Sequence, residues 1–172
     1  MDNPFVNTSI TVDYMAILEA LEAQTNSADR RWRKLSNAAG GQIIAEYRTI
    51  GFKVARQCGK STAMGRWLSK ASDKTLCVFT NNNLRDAIVR NWAGRLGESV
   101  RVVSVLPSDL RKFIRKENPI KYDAQSVFPD GVKYILVDDA DAIFNYFGIR
   151  LKEFNQWVHD TFGPDVLVIH FG

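Results

Sequence analysis

Apolar and polar positions along the chain fall into two rhythms. Over residues 10–23 the apolar Val12, Met15, Ala16, Leu18 and Leu21 recur at helical spacing, and Thr11 or Asp13 stands where a cap is needed. Residues 24–29 are polar and predict a turn, and 30–35 predict a second short helix. Asn37-Ala38-Ala39-Gly40-Gly41 reads as a breaker. From Gln42 the pattern turns to alternation, and Ile43, Ile44, Tyr47, Ile50, Phe52 and Val54 predict one or two strands. Residues 75–80 and 100–105 predict further strands, with a helix over 84–96 between them that puts Ile88, Trp92 and Leu96 on one face. Pro107-Ser108-Asp109 opens a helix that ends near Lys116, and 118–130 is a polar, proline-bearing loop. An apolar run, Tyr134-Ile135-Leu136-Val137, precedes acidic residues. A helix over 141–157 is expected to break near Gly148, with Phe144, Phe147, Phe154 and Trp157 as core. Residues 166–170 form the last predicted strand.

Strands that alternate with helices through one domain predict an α/β fold. The expected architecture is a parallel sheet of about five strands with helices on both faces. A helical N-terminal segment precedes it. The breaker divides the chain into residues 1–41 and 42–172.

Composition narrows the class. The 172 residues are 45% apolar and 24% charged, which is enough to bury a core and too apolar for a disordered chain. No run of about eighteen apolar residues exists, so no membrane partner is expected. The start, Met1-Asp2-Asn3-Pro4-Phe5, lacks the basic and apolar regions of a secretory signal. Cys58 and Cys77 have neither metal-ligand spacing nor a disulfide framework, so a reducing cytoplasm is expected. The net charge of +4 is modest, yet cations gather in two places. Arg30-Arg31-Trp32-Arg33-Lys34 and Arg111-Lys112-Phe113-Ile114-Arg115-Lys116 each interleave an aromatic with basic residues. Such segments suit a phosphate backbone with stacked bases, and equally a solvated helix face with one buried aromatic.

The chemistry concentrates at two stretches. Val54-Ala55-Arg56-Gln57-Cys58-Gly59-Lys60-Ser61-Thr62 follows a strand-like segment and leads into a helical pattern. Backbone N–H groups at such a turn, with the helix N-terminus behind them, cradle a phosphate chain. Lys60 would reach the β- and γ-oxygens of a nucleoside triphosphate, and the Ser61 hydroxyl would hold Mg²⁺. Val54 stands where the full motif has its first glycine. The second stretch is Asp138-Asp139 after the apolar run, at the carboxyl end of a buried strand where ligands gather. Asp138 would support Mg²⁺ through water, and Asp139 would polarise the attacking water.

Ala55-Arg56-Gln57-Cys58-Gly59-Lys60-Ser61-Thr62 resembles the phosphate loop of large terminase subunits, the ATPases that package viral DNA. Those loops carry Arg-Gln before Gly-Lys-Ser/Thr and lack the first glycine. The acidic pair resembles that of DExx-box helicases, which share the fold. The resemblance spans roughly residues 42–172 and implies an additional-strand P-loop NTPase that binds and hydrolyses ATP with Mg²⁺. It implies nucleotide contacts from Arg56, Gln57, Cys58, Gly59, Lys60, Ser61 and Thr62, with Arg56 stabilising charge on the γ-phosphate. In that class the strand after the acidic motif lies beside the phosphate-loop strand, and a polar residue at its end contacts the γ-phosphate. His170 holds that place. Gln42 and Tyr47 are the candidates for adenine. The acidic pair's second member is usually glutamate, so Asp139 is a departure that bears on hydrolysis rate. The implied partners are double-stranded DNA and other viral packaging proteins or neighbouring subunits, in a homo-oligomer in the host cytoplasm. Packaging motors also need a nuclease domain and helicases a second motor domain, so the chain is expected to be either a portion of a larger protein or a small protein that works in an assembly.

Two other classes share these features. A thymidine-type nucleoside kinase combines Gly-Lys-Ser with an acidic strand end, but adds a zinc lobe whose spacing is missing here. A nucleotide-gated assembly protein would bind ATP with little turnover, as the shorter Asp139 allows.

Overall fold

The computed structural model describes residues 12–32, 39–53, 60–71, 74–96, 103–117, 128 and 131–172. Five strands form one all-parallel sheet: β1 (Thr49–Phe52), β2 (Thr75–Val78), β3 (Val103–Val105), β4 (Tyr134–Asp138) and β5 (Leu167–Phe171). Their spatial order is β1-β5-β4-β2-β3, so β5 is inserted between β1 and the strand that carries Asp138. Seven helices surround the sheet among the described residues. They are α1 (Tyr14–Trp32), α2 (Gly40–Tyr47), α3 (Lys60–Ala71), α4 (Asn82–Leu96), α5 (Pro107–Arg115), α6 (Ala140–Tyr146) and α7 (Leu151–Phe162).

Alternation along each strand builds two cores. On one face Leu76, Val78, Ile135, Val137 and Val168 pack with Ile44 of α2, Leu110 and Phe113 of α5, Ile143 of α6 and Phe154 of α7. On the other, Ile50, Cys77, Leu136, Ile169 and Phe171 pack with Leu18 of α1, Met64 and Trp67 of α3 and Ile88 of α4. A strand covered on both sides has no need of polar alternation, which is why β2 and β4 read as unbroken apolar runs. Cys77 is fully buried there, and burial pushes its thiol well above the ordinary range, so it is inert.

Two expectations fail near the N-terminus. The polar segment 24–29 is no turn: α1 runs through it to Trp32. It starts with Asp13, whose carboxylate accepts from the N–H groups of Met15 at 3.1 Å and Ala16 at 3.3 Å. Likewise, Ile43, Ile44 and Tyr47 belong to α2 and not to a strand. The glycines of the expected breaker lie in α2 and let it approach α7 closely. A Cβ on Gly40 would land in the His159 ring, and the Gly41 N–H donates to Gln156 Oε1 at 3.1 Å.

Later described elements follow the pattern; residues 100–102 of the expected strand and the expected loop over 118–130, apart from residue 128, lie outside the described residues. α4 starts at Asn82, with Asn81 Oδ1 accepting from the Leu84 N–H at 2.9 Å. The break at Gly148 separates α6 from α7, and its φ of 66° is one that glycine adopts without strain. No helix among the described residues is long and apolar enough to cross a membrane.

Candidate functional site

The strand ends are level. Across the sheet Phe52, Phe171 and Asp138 stand in one row, and Gly51, His170 and Val137 in the row before it. Parallel register points each row to one face. The Asp138 row therefore faces α3, and the His170 row faces α6 and α7.

On the α3 side, Lys60 and Asp138 meet. Lys60 is the first residue of α3, the element that follows β1 among the described residues, and its Nζ lies 3.3 Å from Asp138 Oδ1. The Asp138 side chain is only 2% exposed, and its Oδ2 has no hydrogen-bond partner among the described residues. Burial raises the Asp138 pKa above the ordinary carboxylate value, and the Lys60 ammonium offsets part of that rise. An acid held this way keeps one oxygen on its cation and leaves the other available. Ser61 and Thr62 lie exposed in the first turn of α3. Arg56, Gln57, Cys58 and Gly59 fall outside the described residues.

Asp139 is half-buried and leads into α6 in the left-handed backbone region, at φ 53° and ψ 57°. That kink turns the chain from the strand end into the helix. Aspartate accepts it more readily than most side chains, since its short polar arm can bond locally.

His170 lies apart from this pair. Its ring is on the opposite face, 5.2 Å from the Phe144 ring and 6.2 Å from that of Phe154. Burial pushes its pKa down to about 4, so the imidazole is neutral at physiological pH. Its Nε2 is buried with no partner among the described residues. The ring forms the floor of a cleft of about 930 Å³ that sequence reasoning did not foresee. Gly51 continues that floor, where an added Cβ would meet nothing within 4 Å. The α6–α7 turn makes one wall, and Lys53, Arg115 and Arg150 stand around the opening. Lys53 Nζ is bonded to Asp141 Oδ2 at 2.7 Å across the mouth.

The remaining candidates are placed as follows. Gln42 donates to Glu46 Oε1 at 2.8 Å within α2, and Tyr47 is half-buried at the end of the same helix. Phe113, the aromatic of the second basic segment, is 6% exposed and belongs to the core. The side chains of the first basic segment fall outside the described residues.

If a nucleotide with its cation binds here, Lys60, Ser61 and the unpartnered Asp138 oxygen are the groups that would hold it. No trio of His, Cys, Asp and Glu among the described residues could hold a metal by itself. A cation shared between the Ser61 hydroxyl, the unpartnered Asp138 oxygen and phosphate oxygens needs no such trio.

No family model, curated protein or solved structure matches this chain.

Proposed function

We propose that this chain is an ATP-binding and ATP-hydrolysing P-loop domain of the kind found in terminase-type DNA-packaging motors, acting with double-stranded DNA. The observation that carries this reading is the Lys60–Asp138 pair. It joins the first residue of the helix after β1 to the end of β4, with β5 inserted between the two strands. A half-buried cation beside a buried carboxylate, at the carboxyl edge of a parallel sheet, is what supports a polyphosphate and divalent-ion site here. With a nucleotide bound, Lys60 would exchange its carboxylate partner for phosphate oxygens, and Asp138 and Ser61 would be the residues to hold the cation. Mg²⁺ would neutralise charge on the β- and γ-phosphates.

Asp139 stands next along the chain. Its carboxylate would orient a water and take up its proton as the water oxygen bonds to the γ-phosphorus. The bond from that phosphorus to the bridging oxygen breaks, and ADP leaves with the electron pair. Arg56 would add positive charge to the departing group from the loop.

The test is calorimetric titration of Mg·ATP into the wild type and Lys60→Ala, with turnover measured for Asp139→Asn. Lys60→Ala should lose binding. Asp139→Asn should keep binding and lose turnover. Unchanged ATP affinity in Lys60→Ala would overturn the assignment, and ADP formed only when thymidine is added would move it to a nucleoside kinase.

A further inference from the structure

The basic segment on α5 lies on the sheet face opposite α3, and the fold gives it a different setting from the one its sequence suggests. Phe113 turns into the core, so it cannot stack with a ligand. Arg111 and Arg115, one helical turn apart, are both exposed and both reach the α6–α7 turn. Arg115 Nη2 lies 3.5 Å from the Gly148 carbonyl oxygen, and Arg111 Nη1 lies 4.0 Å from where a Gly148 Cβ would stand. Neither has a carboxylate within salt-bridge distance among the described residues. Arg150 extends the strip on the far side of the turn and is 83% exposed, with Glu153 at 3.6 Å.

The same turn presents aromatic surface. Tyr146 is 84% exposed and Phe147 38% exposed, the most open aromatic side chains among the described residues. Cations and exposed rings therefore lie on or beside the α6–α7 turn, contributed by residues far apart in sequence. Arginines that track a phosphate backbone, beside rings on which bases stack, make up the chemistry of single-strand recognition. A duplex keeps its bases stacked inside and has little use for an exposed tyrosine.

We propose that the surface at the α6–α7 turn formed by Arg111, Arg115, Arg150 and Tyr146 binds a single strand of nucleic acid, with phosphates along the arginines and an unpaired base on the Tyr146 ring. This site lies on the sheet face opposite Lys60 and Asp138. It shares with the proposed function only the expectation of a nucleic-acid partner, and it stands whether or not ATP is turned over.

Fluorescence anisotropy with a labelled oligothymidine about 15 nucleotides long tests it. Arg111→Ala/Arg115→Ala should weaken binding at least tenfold and flatten the slope of log affinity against log salt by about 1.4, the change for two lost phosphate contacts on a single strand. Tyr146→Ala should weaken the oligothymidine about tenfold and leave duplex binding unchanged. All three side chains are exposed, so the variants should fold, which circular dichroism checks. Lys60→Ala should bind the strand as wild type does, which separates failure here from failure of the nucleotide site. Unchanged affinity and salt slope in the arginine variant would overturn the proposal. So would a Tyr146→Ala effect equal on single strand and duplex, or displacement of the strand by ATP one for one.

Discussion

Two lysine–aspartate pairs sit at the same edge of the sheet, and they differ in almost everything but composition. Lys53 and Asp141 are 2.7 Å apart, with side chains 79% and 61% exposed. Lys60 and Asp138 are 3.3 Å apart, with side chains 27% and 2% exposed. The shorter contact is the weaker one. Water and salt screen an exposed pair, and holding two mobile side chains together costs entropy. The longer contact lies where an unpaired charge is expensive, so losing one partner strands the other. Distance alone ranks these pairs in the wrong order; burial ranks them correctly.

The largest expected effect comes from breaking the buried pair. Lys60→Ala should cost about 3 kcal/mol in urea unfolding, besides the loss of ATP binding. Adding Asp138→Asn should restore part of that stability, because the stranded carboxylate is then gone. If the double variant is no more stable than Lys60→Ala, burial of the charge is not the cause.

A buried group whose burial outweighs the nearby Asp141 charge sharpens the contrast. The folded pKa of His170 is lowered from 6.5 to about 4, so the unfolded chain binds the extra proton first as pH falls. Its contribution to stability is whole above 6.5 and is lost as pH falls toward 4, by about 3 kcal/mol. Asp138 acts in the opposite sense. Its raised folded pKa favours the folded state as pH falls through that value toward 3.8. The two are separated by difference: His170→Gln should flatten the stability profile between pH 6.5 and 4 relative to wild type. An unaltered profile would mean that the ring takes up its proton in the folded protein without penalty.

The smallest effect belongs to the exposed pair. Lys53→Ala and Asp141→Asn should each leave the thermal unfolding midpoint within error of wild type, at low salt and at high. A clear drop in either would show that this bridge fastens the end of β1 to α6.

The sequence made some of this legible and hid the rest for physical reasons. The runs that became β2, β4 and β5 were plain because strands buried on both faces carry few polar residues. Gly148 marked its break because the turn demands a positive φ. α2 was misread because Ile43, Ile44 and Tyr47 satisfy a strand run and a helix face alike, and its glycines mark close packing on α7 more than an end. The polar length of α1 was misread because nothing in a solvated helix face says that the helix continues. Lys60 and Asp138 were found as separate motifs, and the fold pairs them. The cleft was invisible, since Gly51, Arg115 and His170 become neighbours only through the crossovers. So was the facing of His170, which depends on the register Gly51–His170–Val137 and not on its place at the strand end.

The backbone at Asp139 also acts as a filter on what can replace it. At φ 53° a glycine, asparagine or aspartate rests with little strain, whereas a longer or branched side chain costs about 1–2 kcal/mol. Glutamate, with one more methylene to reach a water, is thus disfavoured by the turn before its chemistry is ever tried. A lineage that kept this bend would drift among the short polar residues and reach the longer acid only by first reshaping the strand-to-helix corner. Asparagine passes the same filter, so Asp139→Asn changes the charge and spares the bend.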